Sequence, residues 1–197
     1  MGLVIPAQEM TISEIRAIRE AAINEAVNTL IKKGIVSSRD ECVIRAPILG
    51  DSSSTDFRDL DAKATVAVTG MQEWLVDTTE VTAGDLADLL TTGETVNDDT
   101  AIVFYGVANL GGDKDWIAIQ FLKGAKTLTY WNLEHIHAYT DKVLGYSMDF
   151  ASYGPNETII IKNQLRAGAS VVAGEDYRWL PIGVLVEPKS KSLAEGT

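Results

Sequence analysis

The clearest pattern along the chain is helical and covers residues 11–33. Thr11 and Glu14 form a T-x-x-E capping box at its start, in which each side chain bonds a backbone N–H near the other. Lys32 suits the negative end of the helix dipole, and Gly34 suits a left-handed stop. Between these ends, apolar side chains recur at steps of three or four residues: Ile12, Ile15, Ile18, Ala22, Ala26 and Leu30. We predict a long amphipathic helix whose stripe packs across a sheet or against the same helix of another subunit.

After Gly34 the pattern changes to short apolar runs separated by turn residues. The runs read as strands, at 41–47, 101–109, 116–123, 127–139, 142–150, 157–165 and 177–188. Residues 62–81 suit two further strands, and residues 84–100 suit a short helix followed by a turn. Short strands at fairly even spacing favour an antiparallel sandwich or barrel over alternating β and α units.

Two of these runs carry further information. Residues 101–109 are apolar at both odd and even positions, which predicts a strand covered on both faces. In residues 127–139 the apolar positions change parity between Leu133 and Ile136. Because a strand changes its buried face only through a bulge or a crossing between sheets, we predict an irregularity near Glu134–His135.

The chain therefore divides into three parts. Residues 1–40 form an N-terminal helix or arm, residues 41–188 a β-sandwich domain, and residues 189–197 a flexible polar tail. The net charge of −11 is concentrated in residues 51–100, which hold twelve acids and two bases and read as an acidic, loop-rich surface. This charge disfavours direct nucleic-acid binding, and no apolar run is long enough to cross a membrane.

The familiar catalytic and cofactor motifs are missing from the sequence. It contains no G-x-S-x-G, no phosphate-binding loop, no dinucleotide-binding fingerprint and no H-E-x-x-H. Cys42 is the single cysteine, which excludes an internal disulfide and suits a small buried apolar residue. We predict a protein that is not an enzyme and has no catalytic residues, no cofactor and no resident metal.

One pair of residues could overturn that prediction. His135 and His137 form H-x-H on one side of a predicted strand, and Asp141 follows four residues later. Cupin-like metal sites begin in this way, because alternate residues of a strand converge on one ion. Such a site needs a further histidine from a later strand, and this chain has only the two. We expect a surface or subunit-contact pair, with a cupin-like metalloprotein as one alternative.

The acidic loops and the tryptophans suggest other ligands. Asp51, Asp56, Asp59 and Asp61 crowd one loop, but they lack the calcium-binding D-x-D-x-D-G pattern, and we expect them to be solvated. The tryptophans could stack on sugars, which leaves a carbohydrate-binding or adhesion module as a second alternative. Each lies beside aliphatic residues, which favours packing in the core or its rim: Trp74, Trp116, Trp131 and Trp179.

The second half of the chain resembles the jelly-roll domains of small virion proteins, especially phage capsid decoration or cement proteins. The residues that carry the resemblance are AIVFYGVANL, DWIAIQFLKGAKTLTYWNLEHI, NETIIIK and the terminal RWLPIGVLVEP. The resemblance implies a jelly-roll-like antiparallel β-sandwich preceded by one long helix. It also implies a structural protein of the virion that forms a homo-oligomer, dimer or trimer, and clamps capsid protein subunits. On this reading the helical stripe from Ile12 to Leu30 is the candidate partner interface.

Overall fold

The computed structural model describes residues 2–50, 59–61, 86–110, 114–138, 144–169 and 178–194. The helices are α1 (Ile12–Lys32), α2 (Glu134–His137) and α3 (Lys189–Ala194), with short 3-10 helices at Ala7–Glu9 and Arg39–Glu41. The strands are β1 (Gly2–Leu3), β2 (Ile5–Pro6), β3 (Cys42–Arg45), β4 (Leu49–Gly50), β5 (Leu60–Asp61), β6 (Leu86–Asp88), β7 (Ala101–Asn109), β8 (Trp116–Lys123), β9 (Lys126–Asn132), β10 (Leu144–Tyr153), β11 (Ile159–Leu165) and β12 (Trp179–Pro188).

Most of these strands form two facing sheets. One sheet has the order β1-β9-β8-β11-β6, and the other has the order β2-β10-β7-β12-β3. The antiparallel pairs are nested along the chain, since β8 pairs with β9, β7 with β10, β6 with β11 and β3 with β12. This connectivity is that of one long hairpin rolled into two sheets, which is the arrangement called a jelly roll. The predicted mainly β sandwich with one long N-terminal helix is confirmed.

The fold has two apolar layers that share the strand β7. Ile102, Phe104 and Val107 face the core between the two sheets, while Val103 and Tyr105 face helix α1. All nine residues of β7 are buried, as its two-sided apolar pattern predicts. The strand is therefore the central element of the protein, because it holds both layers together.

Helix α1 lies across the outer face of the sheet that contains β7, β10 and β12. Its capping box is present, with Thr11 accepting from the N–H of Glu14 and the Glu14 carboxylate accepting from the N–H of Thr11. Gly34 has φ of 71°, and the N–H groups of Gly34 and Ile35 donate to the carbonyls of Ile31 and Leu30. Local sequence therefore sets both ends of the helix.

The first residues of the chain cross from one sheet to the other. Gly2 and Leu3 pair with β9, and Ile5 and Pro6 pair with β10, so residues 2–6 join the edge strands of both sheets. Val4, between these two short strands, is fully buried in the core between the sheets. We call residues 2–6 the N-terminal strap, because they close this side of the sandwich.

Three local predictions need correction. Residues 86–88 form a strand rather than part of a short helix, because pairing with β11 outweighs the local preference for a helix. The irregularity near Glu134–His135 exists, but it is the helical turn α2 after the end of β9 rather than a bulge. The expected loose tail begins with α3, whose Lys191 pairs with Asp99 at 2.8 Å. The two strands predicted within 62–81 lie outside the described residues.

Candidate functional site

The structure divides the predicted helical stripe into a buried part and an accessible part. Ile18, Ala22, Ala26 and Leu30 are buried against the protein's own sheet. Ile15 is half-buried against the same layer, whereas Ile12 is 71% exposed. The stripe therefore packs across a sheet, which is one of the two arrangements that the sequence left open. Of the six stripe residues, only Ile12, in the first turn of α1, remains mostly exposed.

A groove lies beside this first turn. It has a volume of about 290 Å³ and is lined by Ile5, Met10, Glu14, Ala17, Ile18 and Met148. Met148 is 66% exposed and lies in the part of β10 where the pairing with β7 is interrupted, between Tyr146 and Ala151. Leu3, which is 61% exposed, and Ile12 are each two residues from a lining residue. Of the three most exposed large apolar side chains of the described residues, Met148 lines the groove, and Leu3 and Ile12 are its near neighbours only in the sequence.

Acidic groups accompany this apolar surface. The carboxylate of Glu14 accepts hydrogen bonds from the backbone N–H and the hydroxyl of Thr11, at 2.7 and 2.8 Å. These bonds, led by the one from the backbone, lower the pKa of Glu14 below its ordinary value, so it is negative at neutral pH. The chemistry of the groove is that of an apolar recess with a negative charge on its lining. It suits contact with another apolar surface.

The two histidines do not form the predicted H-x-H pair on a strand. Both lie on the helical turn α2, where residues two apart point in nearly opposite directions. His135 is exposed and its Nε2 lies 3.3 Å from the Glu9 carboxylate, whereas His137 is buried with its ring 5.7 Å from that of Trp179. The two imidazoles therefore cannot hold the same ion. The third residue of the predicted site, Asp141, lies outside the described residues.

The acidic side chains that the structure describes mostly have partners in the protein. No group of three or more potential metal ligands occurs among the described residues. Asp59 binds the Arg45 guanidinium with both oxygens, at 2.5 and 2.7 Å. Asp99 pairs with Lys191, and Asp51 and Asp56 lie outside the described residues. Asp59 thus holds a loop in place rather than contributing to an open cation site.

The tryptophans that the structure describes are core residues. Trp116, Trp131 and Trp179 are fully buried between the sheets. The indole of Trp131 also donates to the backbone carbonyl of Asp149 at 2.8 Å, which fixes its orientation. None of the three can stack on a sugar, and Trp74 lies outside the described residues. The predicted packing of the tryptophans in the core is confirmed for Trp116, Trp131 and Trp179.

The groove itself could not be read from the sequence. Its residues come from the strap, the first turns of α1 and β10, and Met148 is more than a hundred residues from Met10 in the chain. The one local signal is Met148 itself, an apolar side chain next to Asp149 in a segment otherwise typical of a strand. The role of Met148 becomes evident only when the other residues of the groove are known.

Comparison with known proteins gives no relative on which to base an assignment. No family model, no curated protein and no solved structure matches the chain. No helix in the described part of the chain is both long and apolar enough to span a bilayer.

Proposed function

We propose that this protein is a non-enzymatic structural component of a virus or phage particle, which binds and stabilises the capsid shell as a decoration or cement protein. The observation that carries the proposal is the jelly roll with an exposed apolar groove beside the first turn of α1. Jelly rolls are frequent in viral capsid proteins, and exposed apolar patches mark contact surfaces. Capsid protein subunits, and further copies of this chain in a dimer or trimer, are the proposed partners.

The contact would use the groove rather than the whole helical stripe. Met148, Ile12 and Leu3 supply apolar side chains that protrude, and the groove supplies a recess of about 290 Å³ that can receive them or a partner's side chains. Removing such apolar area from water at a contact would supply binding free energy in proportion to the area buried. The acidic surface of the chain would then face a more basic partner or the outside of the particle.

The proposal predicts that Met148→Asp weakens assembly without unfolding the protein. Because Met148 is mostly exposed, the substitution should change the free energy of unfolding by no more than about 0.5 kcal/mol. A charge placed in an apolar contact should weaken the affinity for a shell, or for another copy, by about tenfold or more. The measurements are urea unfolding, light scattering over a range of concentrations, and co-sedimentation with shells assembled from capsid proteins of the same genome.

Leu110→Asp is the matched control, because Leu110 is also an exposed apolar residue but lies at the end of β7, outside the groove lining. It should leave assembly unchanged. A wild-type protein that stays monomeric at every concentration and binds no shell would overturn the proposed function. Equal losses with Met148→Asp and Leu110→Asp would place the contact elsewhere.

A further inference from the structure

The turn α2 contacts the N-terminal strap through a buried apolar side chain. Ile136 is fully buried, and a β-carbon added at Gly145 would lie 2.9 Å from its Cγ2 and 2.5 Å from Cγ1 of Val4. The side chains of Val4 and Ile136 therefore meet at Gly145 with no space left for another atom. Since Val4 anchors the strap in the core, the position of Ile136 decides whether the strap can stay docked.

A second contact joins α2 to the chain just beyond the strap. His135 Nε2 lies 3.3 Å from Oε2 of Glu9, which belongs to the 3-10 helix between the strap and α1. On the other side, Glu134 of α2 pairs with Arg166 at 3.2 Å. The turn thus connects the strap to the end of β11 through three consecutive residues, Glu134, His135 and Ile136.

The next residue of the turn is a buried base that has no hydrogen-bond partner in the described part of the chain. His137 is 9% exposed, its ring is tilted against Trp179, and neither ring nitrogen has a hydrogen-bond partner in the described structure. A neutral imidazole loses one donor and one acceptor bond here, but an imidazolium costs far more, because it has two N–H donors and a charge that needs solvent. Protonation of His137 is therefore incompatible with its present position.

We propose that α2 is an acid-sensitive latch, which holds the N-terminal strap against the edges of both sheets and releases it when His137 takes up a proton. The released imidazolium moves to solvent and carries the turn with it. Ile136 then leaves Gly145 and Val4, and the edges of β9 and β10 lose their pairing with the strap. The sandwich itself remains, because β7, β8, β11 and β12 make no use of α2 in their pairing.

The charges around His137 support release in the acid range. Burial, helped by Lys114 and Arg166, lowers the pKa of His137 to about 4, while Glu134 and Asp115 oppose the shift. Because the pKa of His137 in the docked state is below the ordinary 6.5, His137 binds a proton more tightly in the released state than in the docked state. The docked state is therefore fully favoured above pH 6.5 and loses that advantage as the pH falls to about 4.

Hydrogen exchange measured by mass spectrometry at pH 7, 6 and 5, corrected for intrinsic rates, tests the latch. The two pKa values predict an increase of about 20-fold in the released population between pH 7 and pH 5. Protection should fall by that factor in segments that contain residues 2–6 and the edges of β9 and β10. Protection from exchange should stay the same in β7 and β12. His137→Phe should abolish the pH response, whereas His135→Phe should leave it intact.

Two further variants keep the test decisive. His137→Gln cannot ionise in this range and replaces the phenylalanine variant if that protein fails to fold. Gly145→Ala should loosen the strap at pH 7, because its new methyl group occupies the space between Val4 and Ile136. The latch is refuted if wild-type exchange at the strap is the same at pH 7 and pH 5, if both His137 variants keep the response, or if all strands lose protection together.

Discussion

Replacing Arg45 with methionine should lower the free energy of unfolding by about 2–3 kcal/mol, somewhat less than breaking a fully buried ion pair, because the Arg45 side chain is itself 32% exposed. Arg45 binds Asp59 through two N–H groups, and its Nε donates to Glu187 at 3.1 Å. The side chains of Asp59 and Glu187 are each only 8% exposed. Methionine fills a similar volume but leaves two carboxylates with little access to water.

The guanidinium is held firmly in its charged form. The hydrogen bonds that Arg45 donates to Asp59, together with the charge of Asp59 and the hydrogen bond to Glu187, outweigh the effect of burial and raise the pKa of Arg45 above its ordinary range. Arg45→Lys should recover only part of the lost stability, because an ammonium group cannot bind one carboxylate in a bidentate manner while a second N–H donor reaches the other. Urea unfolding at neutral pH measures both variants against the wild type.

The matched control is Arg39→Met, which removes an ion pair that is open to solvent. Arg39 lies 2.9 Å from Glu20, and their side chains are 45% and 48% exposed. Its loss should cost less than about 1 kcal/mol, since exposed pairs contribute little. If Arg45→Met proves as mild as Arg39→Met, then Asp59 and Glu187 reach solvent or other partners, and the cluster does not hold the loop.

Leu30→Ala should destabilise the protein by about 3 kcal/mol, within the range of 2–5 kcal/mol found for large-to-small substitutions in a core. Leu30 is fully buried between α1 and the sheet, in the last turns of the helix. The substitution removes apolar contacts and leaves a cavity that a helix packed on a sheet closes only in part. Thermal and urea unfolding of the isolated protein give the change directly.

Ile12→Ala is the control at the other end of the same stripe, and it should change stability by no more than about 0.5 kcal/mol. Leu30 and Ile12 belong to one helical pattern in the sequence, so the expected difference in destabilisation comes from their different exposure in the structure. Should Leu30→Ala be as mild as Ile12→Ala, the helix would not be packed on the sheet in solution. A loss of oligomers only with Ile12→Ala would support a contact at the first turn of α1.

The elements that the sequence predicted well are those whose signals are local. Thr11, Glu14 and Gly34 act on backbone groups a few residues away, so the bounds of α1 follow from them. The two-sided burial of β7 follows from its own nine residues. Cys42 is buried, as expected for a lone cysteine in an apolar run. In each case the deciding interaction lies within the segment or depends only on the apolar character of its residues.

The errors concern segments for which a distant partner decides. Residues 86–88 form a strand because β11 supplies its pairing partners, about seventy-five residues away. The sequence predicts a strand for the histidines of α2, because the parity change in 127–139 does not distinguish a bulge from a short helix. Arg45 and Glu187 are 142 residues apart in the chain, so no spacing rule could connect them.

The sequence by itself therefore determined the type of most elements, the ends of the long helix and the mainly β character of this protein. Hydrophobic periodicity and capping act over a few residues, and the sequence displays them directly. Only the tertiary structure decided that the stripe of α1 faces its own sheet and that Met148 and Met10 line one groove. It also decided that the buried ring of His137 has no hydrogen-bond partner among the residues that the structure describes. These facts depend on strand pairing and on which surfaces meet in space, and the free energy of such contacts is not encoded at any single position.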